Sequence, residues 1–89
     1  MTRERFDEIR RLIAENDASV IAALNRRLEL VSELWQLKAE LGLDVLDAGR
    51  ERRLREQLAA ANTGPLSPEG LDYVVSELLE LTKRELGAP

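Results

Sequence analysis

Apolar residues recur every three or four positions along the first 41 residues, which is the spacing of one face of an α-helix. No glycine or proline interrupts residues 4–41, so the pattern predicts one long amphipathic helix. The seam of this helix runs through Phe6, Ile9, Ile13, Asn16, Val20, Leu24, Arg27, Val31, Leu34, Lys38 and Leu41.

Two further helices are predicted after the first. Residues 68–86 carry a dense apolar stripe, and Ser67 followed by proline and glutamate supplies an N-cap and a favourable first turn. Residues 50–62 predict a weaker helix, with Asp47 as its candidate cap. We therefore expect the all-α class, with one long, one short and one medium helix in a single domain of residues 1–89.

The length of the first helix conflicts with the size of the chain. A helix over residues 4–41 is about 55 Å long, whereas a compact chain of 89 residues is about 30 Å across. Since the rest of one chain cannot cover that seam, we expect an intertwined homodimer with two long helices packed along each other. A bend near Asn16 and Asp17, which would fold the helix into a hairpin, is the competing explanation, although no glycine or proline supports it.

Composition narrows the chemistry that the chain can perform. It contains no histidine and no cysteine, which excludes imidazole bases and ligands, disulfides, thiolate nucleophiles and cysteine zinc sites. A formal net charge of −4 and an aromatic content of 3% disfavour nonspecific nucleic-acid binding. Neither a long apolar run nor a signal-peptide pattern is present, so we expect a cytoplasmic protein that contacts no nucleic acid and no membrane.

Three polar residues, Asn16, Arg27 and Lys38, interrupt the apolar seam at equal intervals. Their spacing returns a helix to within about 20° of the same face, so all three point toward the interior. Because a buried unpaired cation is costly, the two cations need acids such as Glu51, a route along their stems to solvent, or a bound anion. An arginine fork and a lysine point charge together suit a small, multiply charged carboxylate.

The second helix opens with four arginines in six positions, beginning at Arg50. Interleaved glutamates and the lack of neighbouring aromatics favour a solvated, ion-paired face for the last three of them over a nucleic-acid patch. Arg50 and Glu51, beside the preceding loop, are better placed to line a pocket. Trp35, between seam positions of the first helix, is interpreted as a packing residue.

An ordered set of residues across most of the chain carries a family resemblance. The set is Ile9-Arg10, Asp17, Leu24-Asn25-Arg26-Arg27-Leu28-Glu29-Leu30-Val31, Lys38 with Gly42, and Asp47 with Arg50-Glu51. It resembles the AroQ-class, all-helical chorismate mutases, which rearrange chorismate to prephenate on the branch toward phenylalanine and tyrosine. The resemblance implies an isomerase that needs no metal and no cofactor, because the reaction is a unimolecular pericyclic shift.

The resemblance also implies how the substrate is held. Arg27 would bind one substrate carboxylate, and Arg10 would reach the other carboxylate from the partner subunit, so that both chains build each pocket. Lys38 would donate a hydrogen bond to the breaking ether oxygen. Such a site keeps the dicarboxylate in a near-attack conformer and stabilises the developing charge.

Four more residues receive roles by the same resemblance. Asp47 and Glu51 would contact the ring hydroxyl, and Arg50 would steer anions from the pocket wall. Thr82 occupies a slot where the family usually has serine, and its hydroxyl can do the same work.

Leu86 departs from the family pattern. Four residues after Thr82 the family commonly has Gln or Glu, a second polar group for the ether oxygen, and leucine donates nothing. Either Glu85 substitutes through a small shift of the last turn, or the enzyme relies on Lys38 with backbone or solvent help. Short family members gain activity by docking on the first enzyme of the shikimate pathway, so such a partner is a further expectation.

Two other functions stay open from the sequence. Isochorismate-pyruvate lyases and 4-amino-4-deoxychorismate mutases use similar cations in the same fold, and Glu51 can accept a hydrogen bond from a hydroxyl or an ammonium group. A non-catalytic helical dimer or adaptor would use Arg27 and Lys38 to specify register. In an adaptor both cations should pair with acids on the partner helix.

Overall fold

The computed structural model describes residues 2–45 and 47–87, which form three α-helices joined by loops. Helix α1 spans Thr2–Leu41, α2 spans Ala48–Ala61 and α3 spans Pro68–Leu86. The predicted all-α class and the order of one long, one short and one medium helix are confirmed. Over the described residues, no helix has both the length and the apolarity needed to cross a bilayer.

Helix α1 is continuous for 40 residues and sets the shape of the chain. The principal dimensions are 61 × 24 × 18 Å, and the radius of gyration is 17.0 Å. A compact chain of this length has a radius of gyration of about 12 Å. Because α1 runs unbroken through Asn16 and Asp17, the hairpin alternative is wrong.

Helix α1 ends at a glycine in the left-handed conformation. Gly42 has a φ of 71°, which glycine adopts without the steric cost of a side chain. The Leu43 N–H donates to the Lys38 carbonyl at 2.8 Å and the Gly42 N–H donates to the Ala39 carbonyl at 3.3 Å. This pair of bonds satisfies the last carbonyls of the helix and reverses the chain toward α2.

Side chains cap the starts of α2 and α3, as the sequence predicts. The Asp47 carboxylate accepts a hydrogen bond from the Arg50 N–H at 3.2 Å, and the Ser67 hydroxyl accepts one from the Gly70 N–H at 3.0 Å. Each bond satisfies an N–H group that has no partner within its helix. Because these bonds are local, the sequence alone predicts which residue caps the start of each helix.

Helix α3 packs against both α1 and α2 and carries a very small core. Of the residues described, only Val75 and Thr82 are buried. Arg55 of α2 donates to the Asp72 carboxylate at 2.7 Å and to the Ser76 hydroxyl at 3.1 Å, which ties α2 to α3. So little buried surface is a poor basis for the stability of a single chain.

The N-terminal arm, defined as residues 2–23 of α1, is exposed at every position. Its ion pairs are local, such as the 2.8 Å contact between Arg11 and Glu15 one turn apart. An exposed apolar stripe of this length is typical of a protein–protein interface. The predicted homodimer would cover the stripe, and it stays a prediction. The exposed large apolar residues of the arm are Phe6, Ile9, Leu12, Ile13, Val20 and Ile21.

Candidate active site

A groove of about 320 Å³ lies between the C-terminal half of α1, the start of α2 and the end of α3. This volume is at the lower end of the range for small-molecule sites. Six of the seven residues proposed from sequence for substrate binding line it, although their roles toward a substrate stay predictions. They are Arg27, Lys38, Asp47, Arg50, Glu51 and Thr82.

Arg27 crosses from α1 to α3 within the groove. Its guanidinium donates a hydrogen bond to the Thr82 hydroxyl, which in turn donates to the Leu78 carbonyl at 2.7 Å. The buried threonine is thereby fixed in orientation, and it orients the arginine. Partial burial lowers the pKa of the Arg27 guanidinium from its ordinary value. Arginine nevertheless stays charged at neutral pH, and its remaining N–H groups can bind a carboxylate in the groove.

Lys38 lies in the last turn of α1 and is held by the loop that follows. Its ammonium group donates to the Val45 carbonyl at 3.1 Å. One of its three N–H donors is used in this way, which leaves two for a ligand. The C-terminal end of a helix also favours a cation, so the position of the ammonium group is stabilised before any ligand arrives.

Neither seam cation forms an ion pair within 4.0 Å of an acid in the part of the chain that the structure describes. The acid that the sequence suggested as a partner, Glu51, instead lies near Lys83, with 4.0 Å between the carboxylate oxygen and the ammonium nitrogen. The interpretation that Arg27 and Lys38 pair with acids within the chain is therefore wrong. Both cations face the groove with hydrogen bonds to neutral oxygen atoms.

The two carboxylates of the groove differ in their surroundings. Asp47 is exposed, and the hydrogen bond from the Arg50 N–H holds the pKa of its carboxyl below the ordinary value of 3.8, with the charges of Arg53 and Lys38 acting in the same direction. Glu51 lies one turn further along α2 and is half-buried. An ionised carboxylate only accepts hydrogen bonds, so Asp47 suits a hydroxyl donor.

Lys83 and Trp35 line the groove wall, although the sequence reasoning gave neither of them a role toward a ligand. Lys83 lies next to Thr82 in the last turn of α3, and Trp35 lies on α1 between Arg27 and Lys38. The sequence pattern did not indicate Lys83 because this residue lies outside the apolar stripe of α3. Its position next to Thr82 is the one sequence feature that suggests a place near the groove. The indole of Trp35 contributes to the apolar part of the wall, in addition to any packing role.

Arg10 is the predicted site residue that one chain does not bring to the groove. It lies about 26 Å from Arg27 along α1, which is too far for both side chains to contact one small ligand. Its guanidinium instead lies over the Phe6 ring, 5.6 Å from the ring centre. Arg10 can reach a groove only from a second copy of the chain, as the sequence-based hypothesis requires.

The end of α3 does not offer the polar group that the family pattern leads one to expect. Leu86 is half-buried, Glu85 is exposed, and neither lines the groove. The alternative in which Glu85 substitutes for the missing group therefore has no geometric support. The polar side chains that α3 places on the groove wall are those of Thr82 and Lys83.

The fold and the groove together define a class of protein: an all-helical protein with cations on the wall of a small groove. The family profile described as chorismate mutase type II matches residues 9–85. The intracellular chorismate mutase of Mycolicibacterium smegmatis is 36% identical over 82 residues, which cover 92% of this chain and 74% of that protein. No solved structure gives a significant match.

The chain therefore belongs to the chorismate mutase type II family, and its function is that of a chorismate mutase, an isomerase. This confirms the family and the activity that the sequence resemblance implied.

Proposed function

We propose that the groove is the active site and that it binds the chorismate dianion and rearranges it to prephenate. The observation that carries the assignment is that Arg27 and Lys38, two cations on an otherwise apolar seam, face one groove without an acid partner in the described chain. Burying such charges is unfavourable unless an anion compensates them, so the groove is suited to a carboxylate ligand.

In the proposed mechanism the two cations divide the work. Arg27 binds one substrate carboxylate with its planar fork, and Lys38 donates to the ether oxygen, on which negative charge develops as the C–O bond breaks and the new C–C bond forms. The contacts of Arg27 with Thr82 and of Lys38 with Val45 support this division, because they hold both groups in place before the substrate binds. No proton is transferred, which fits a chain without histidine or cysteine.

The remaining groove residues act on the ring and on substrate entry. Asp47 and Glu51 contact the ring hydroxyl, whose single O–H donates to one of the two carboxylates, and Arg50, which is exposed at the rim, attracts the dianion. The apolar wall, with Trp35 and Leu79, contacts the carbon skeleton and excludes water from it. Exclusion of water strengthens the electrostatic contacts to the transition state.

The proposal includes a homodimer in which each site uses both chains. An antiparallel pairing of two α1 helices along their apolar seams, with the midpoint between Arg10 and Arg27 at the same level in both chains, would bring the partner's Arg10 level with Arg27. The same crossing would cover the exposed apolar stripe of the N-terminal arm. We also propose a cytoplasmic location, which the intracellular chorismate mutase of M. smegmatis supports, and docking on a shikimate-pathway enzyme.

The direct test is to incubate the purified protein with chorismate and to follow its ultraviolet loss together with prephenate formation. Arg27→Ala should lower kcat/KM by about 10²-fold or more, because it removes a desolvated charged contact to the substrate. Arg26→Ala is the matched control, since Arg26 is exposed and lies 3.7 Å from Glu29 on the solvent face. Its activity should stay close to that of the wild type.

Two results would contradict the proposal. One is wild-type turnover no faster than the spontaneous reaction, both alone and with a candidate pathway partner. The other is a higher kcat/KM for isochorismate or for 4-amino-4-deoxychorismate, assayed in parallel, than for chorismate.

A further inference from the structure

We infer that Lys83 is a positioning residue of this groove, which neutralises Glu51 and holds its carboxylate so that a dianion can bind beside it. The inference deepens the proposed function and rests on it, because it assigns a role within the same site. It starts from a conflict in the groove: a site for a ligand with two negative charges has two carboxylates, Asp47 and Glu51, on its own wall.

Each carboxylate has a different source of compensation. Asp47 caps α2, where the N-terminal N–H groups and Arg53, 3.9 Å away, stabilise its negative charge. Glu51 is in the first turn of the same helix, but the cation nearest to it is Lys83 of α3, at 4.0 Å. Removal of Lys83 would therefore leave a carboxylate facing the dianion with much weaker compensation.

The geometry of the pair suits a positioning role. The Lys83 and Glu51 side chains are 35% and 36% exposed, so the pair is partly shielded from water and its electrostatic effect is only partly screened. At 4.0 Å the ammonium group is close enough to attract the carboxylate but is not tightly hydrogen-bonded to it. Glu51 therefore keeps its acceptor sites for a ligand hydroxyl.

The backbone fixes where Lys83 lies. Its carbonyl accepts the N–H of Gly87 at 2.9 Å, in the left-handed cap that ends α3. A lysine in the last turn also interacts favourably with the helix dipole, which is a purely structural reason for its presence. Arg84, the next residue, shares that benefit, but it is exposed and does not line the groove. Variants of these two residues therefore distinguish a role in the groove from a role in stabilising the end of the helix.

The experiment measures kcat and KM for chorismate in Lys83→Gln and in the matched control Arg84→Gln, which loses the same charge. Lys83→Gln should raise KM about fivefold with little change in kcat, because a partly exposed charge contributes to ground-state and transition-state binding alike. Lys83→Arg should keep KM near the wild-type value. Arg84→Gln should change KM by less than about twofold, and thermal unfolding should show all variants folded.

A second background tests whether Lys83 acts through Glu51. In Glu51→Gln protein the carboxylate that needs neutralising is gone, so adding Lys83→Gln should produce no further rise in KM. Equal effects of Lys83→Gln and Arg84→Gln would overturn the inference. So would a Lys83→Gln effect that persists undiminished in the Glu51→Gln background, since Lys83 would then contact the ligand directly.

Failure of the inference can be told apart from failure of the proposed function. If Arg27→Ala abolishes turnover while Lys83→Gln behaves as Arg84→Gln does, the active site stands and the role of Lys83 is refuted. If the wild type does not turn over chorismate, the proposed function itself is refuted.

Discussion

The two halves of α1 carry the same amphipathic pattern but occupy opposite environments. In the C-terminal half, residues between Arg27 and Lys38 form one wall of the groove, whereas the N-terminal arm is exposed at every position. The hydrophobic spacing is continuous across both halves, so it does not distinguish them. Periodicity therefore indicates which face of a helix will be covered. The length of the rest of the chain decides how much of that face one copy can cover.

The polar interruptions of the seam differ in the same way. Asn16 lies in the arm and is exposed, while Arg27 and Lys38 are half-buried and line the groove. All three share one face of the helix by their spacing. A polar residue in a seam therefore becomes a candidate site residue only where other elements of the chain enclose it.

The largest expected effect comes from replacing both cations of the α1 seam with leucine. In Arg27→Leu/Lys38→Leu protein, chorismate turnover should fall to the spontaneous rate, because both proposed contacts to the substrate are lost. Thermal stability should be unchanged or higher, since replacing half-buried charges with apolar groups removes a desolvation cost. Kinetics and thermal unfolding, with Arg26→Leu as the control, check both outcomes. Higher stability with full activity would favour the adaptor function instead.

A charge in the apolar stripe of the N-terminal arm should weaken the predicted homodimer. Ile13→Asp places a charge in the exposed apolar stripe and should weaken dimerisation by about 3 kcal/mol or more, about a hundredfold in the dissociation constant. Activity should fall with it, because Arg10 would no longer reach a second chain. Ala18→Asp, on the opposite face of the same arm, is the matched control. Sedimentation analysis checks the result, and equal behaviour of the two variants would count against the seam as the interface.

Mixing two inactive variants tests whether Arg10 of one chain and Arg27 of the other serve the same site. Heterodimers of Arg10→Ala and Arg27→Ala chains should contain one intact site, so random subunit exchange should restore about a quarter of wild-type activity. Chorismate turnover measured before and after exchange checks this. If exchange is verified and no activity returns, Arg10 and Arg27 do not serve one shared site.

The smallest expected effect concerns the N-cap of α3, the helix that packs against α1 and α2. Ser67→Ala removes the acceptor for the Gly70 N–H and should lower the free energy of unfolding by about 1 kcal/mol. The kcat should be unchanged, because Ser67 does not line the groove. Ser67→Asp keeps an acceptor at the cap and should unfold close to the wild-type temperature. Equal destabilisation by the two substitutions would argue against the capping role.

Much of the site was predictable because its main cations interrupt a regular pattern. Arg27 and Lys38 stood out as charged residues on an apolar seam, and Arg50 and Glu51 as polar residues at a helix start. Lys83 did not stand out, since it belongs to the polar face of α3. Only the packing of α2 against α3 brings Glu51 and Lys83, far apart in sequence, to within 4.0 Å.

The sequence by itself determined the elements of this protein. Helix starts depend on caps within three residues, as at Asp47 and Ser67, and the end of α1 depends on one left-handed glycine, so local chemistry settles them. The tertiary structure alone decided which residues share the groove and which part of the α1 seam is left uncovered. Those outcomes depend on how three helices cross, which is set by packing between residues distant in the chain.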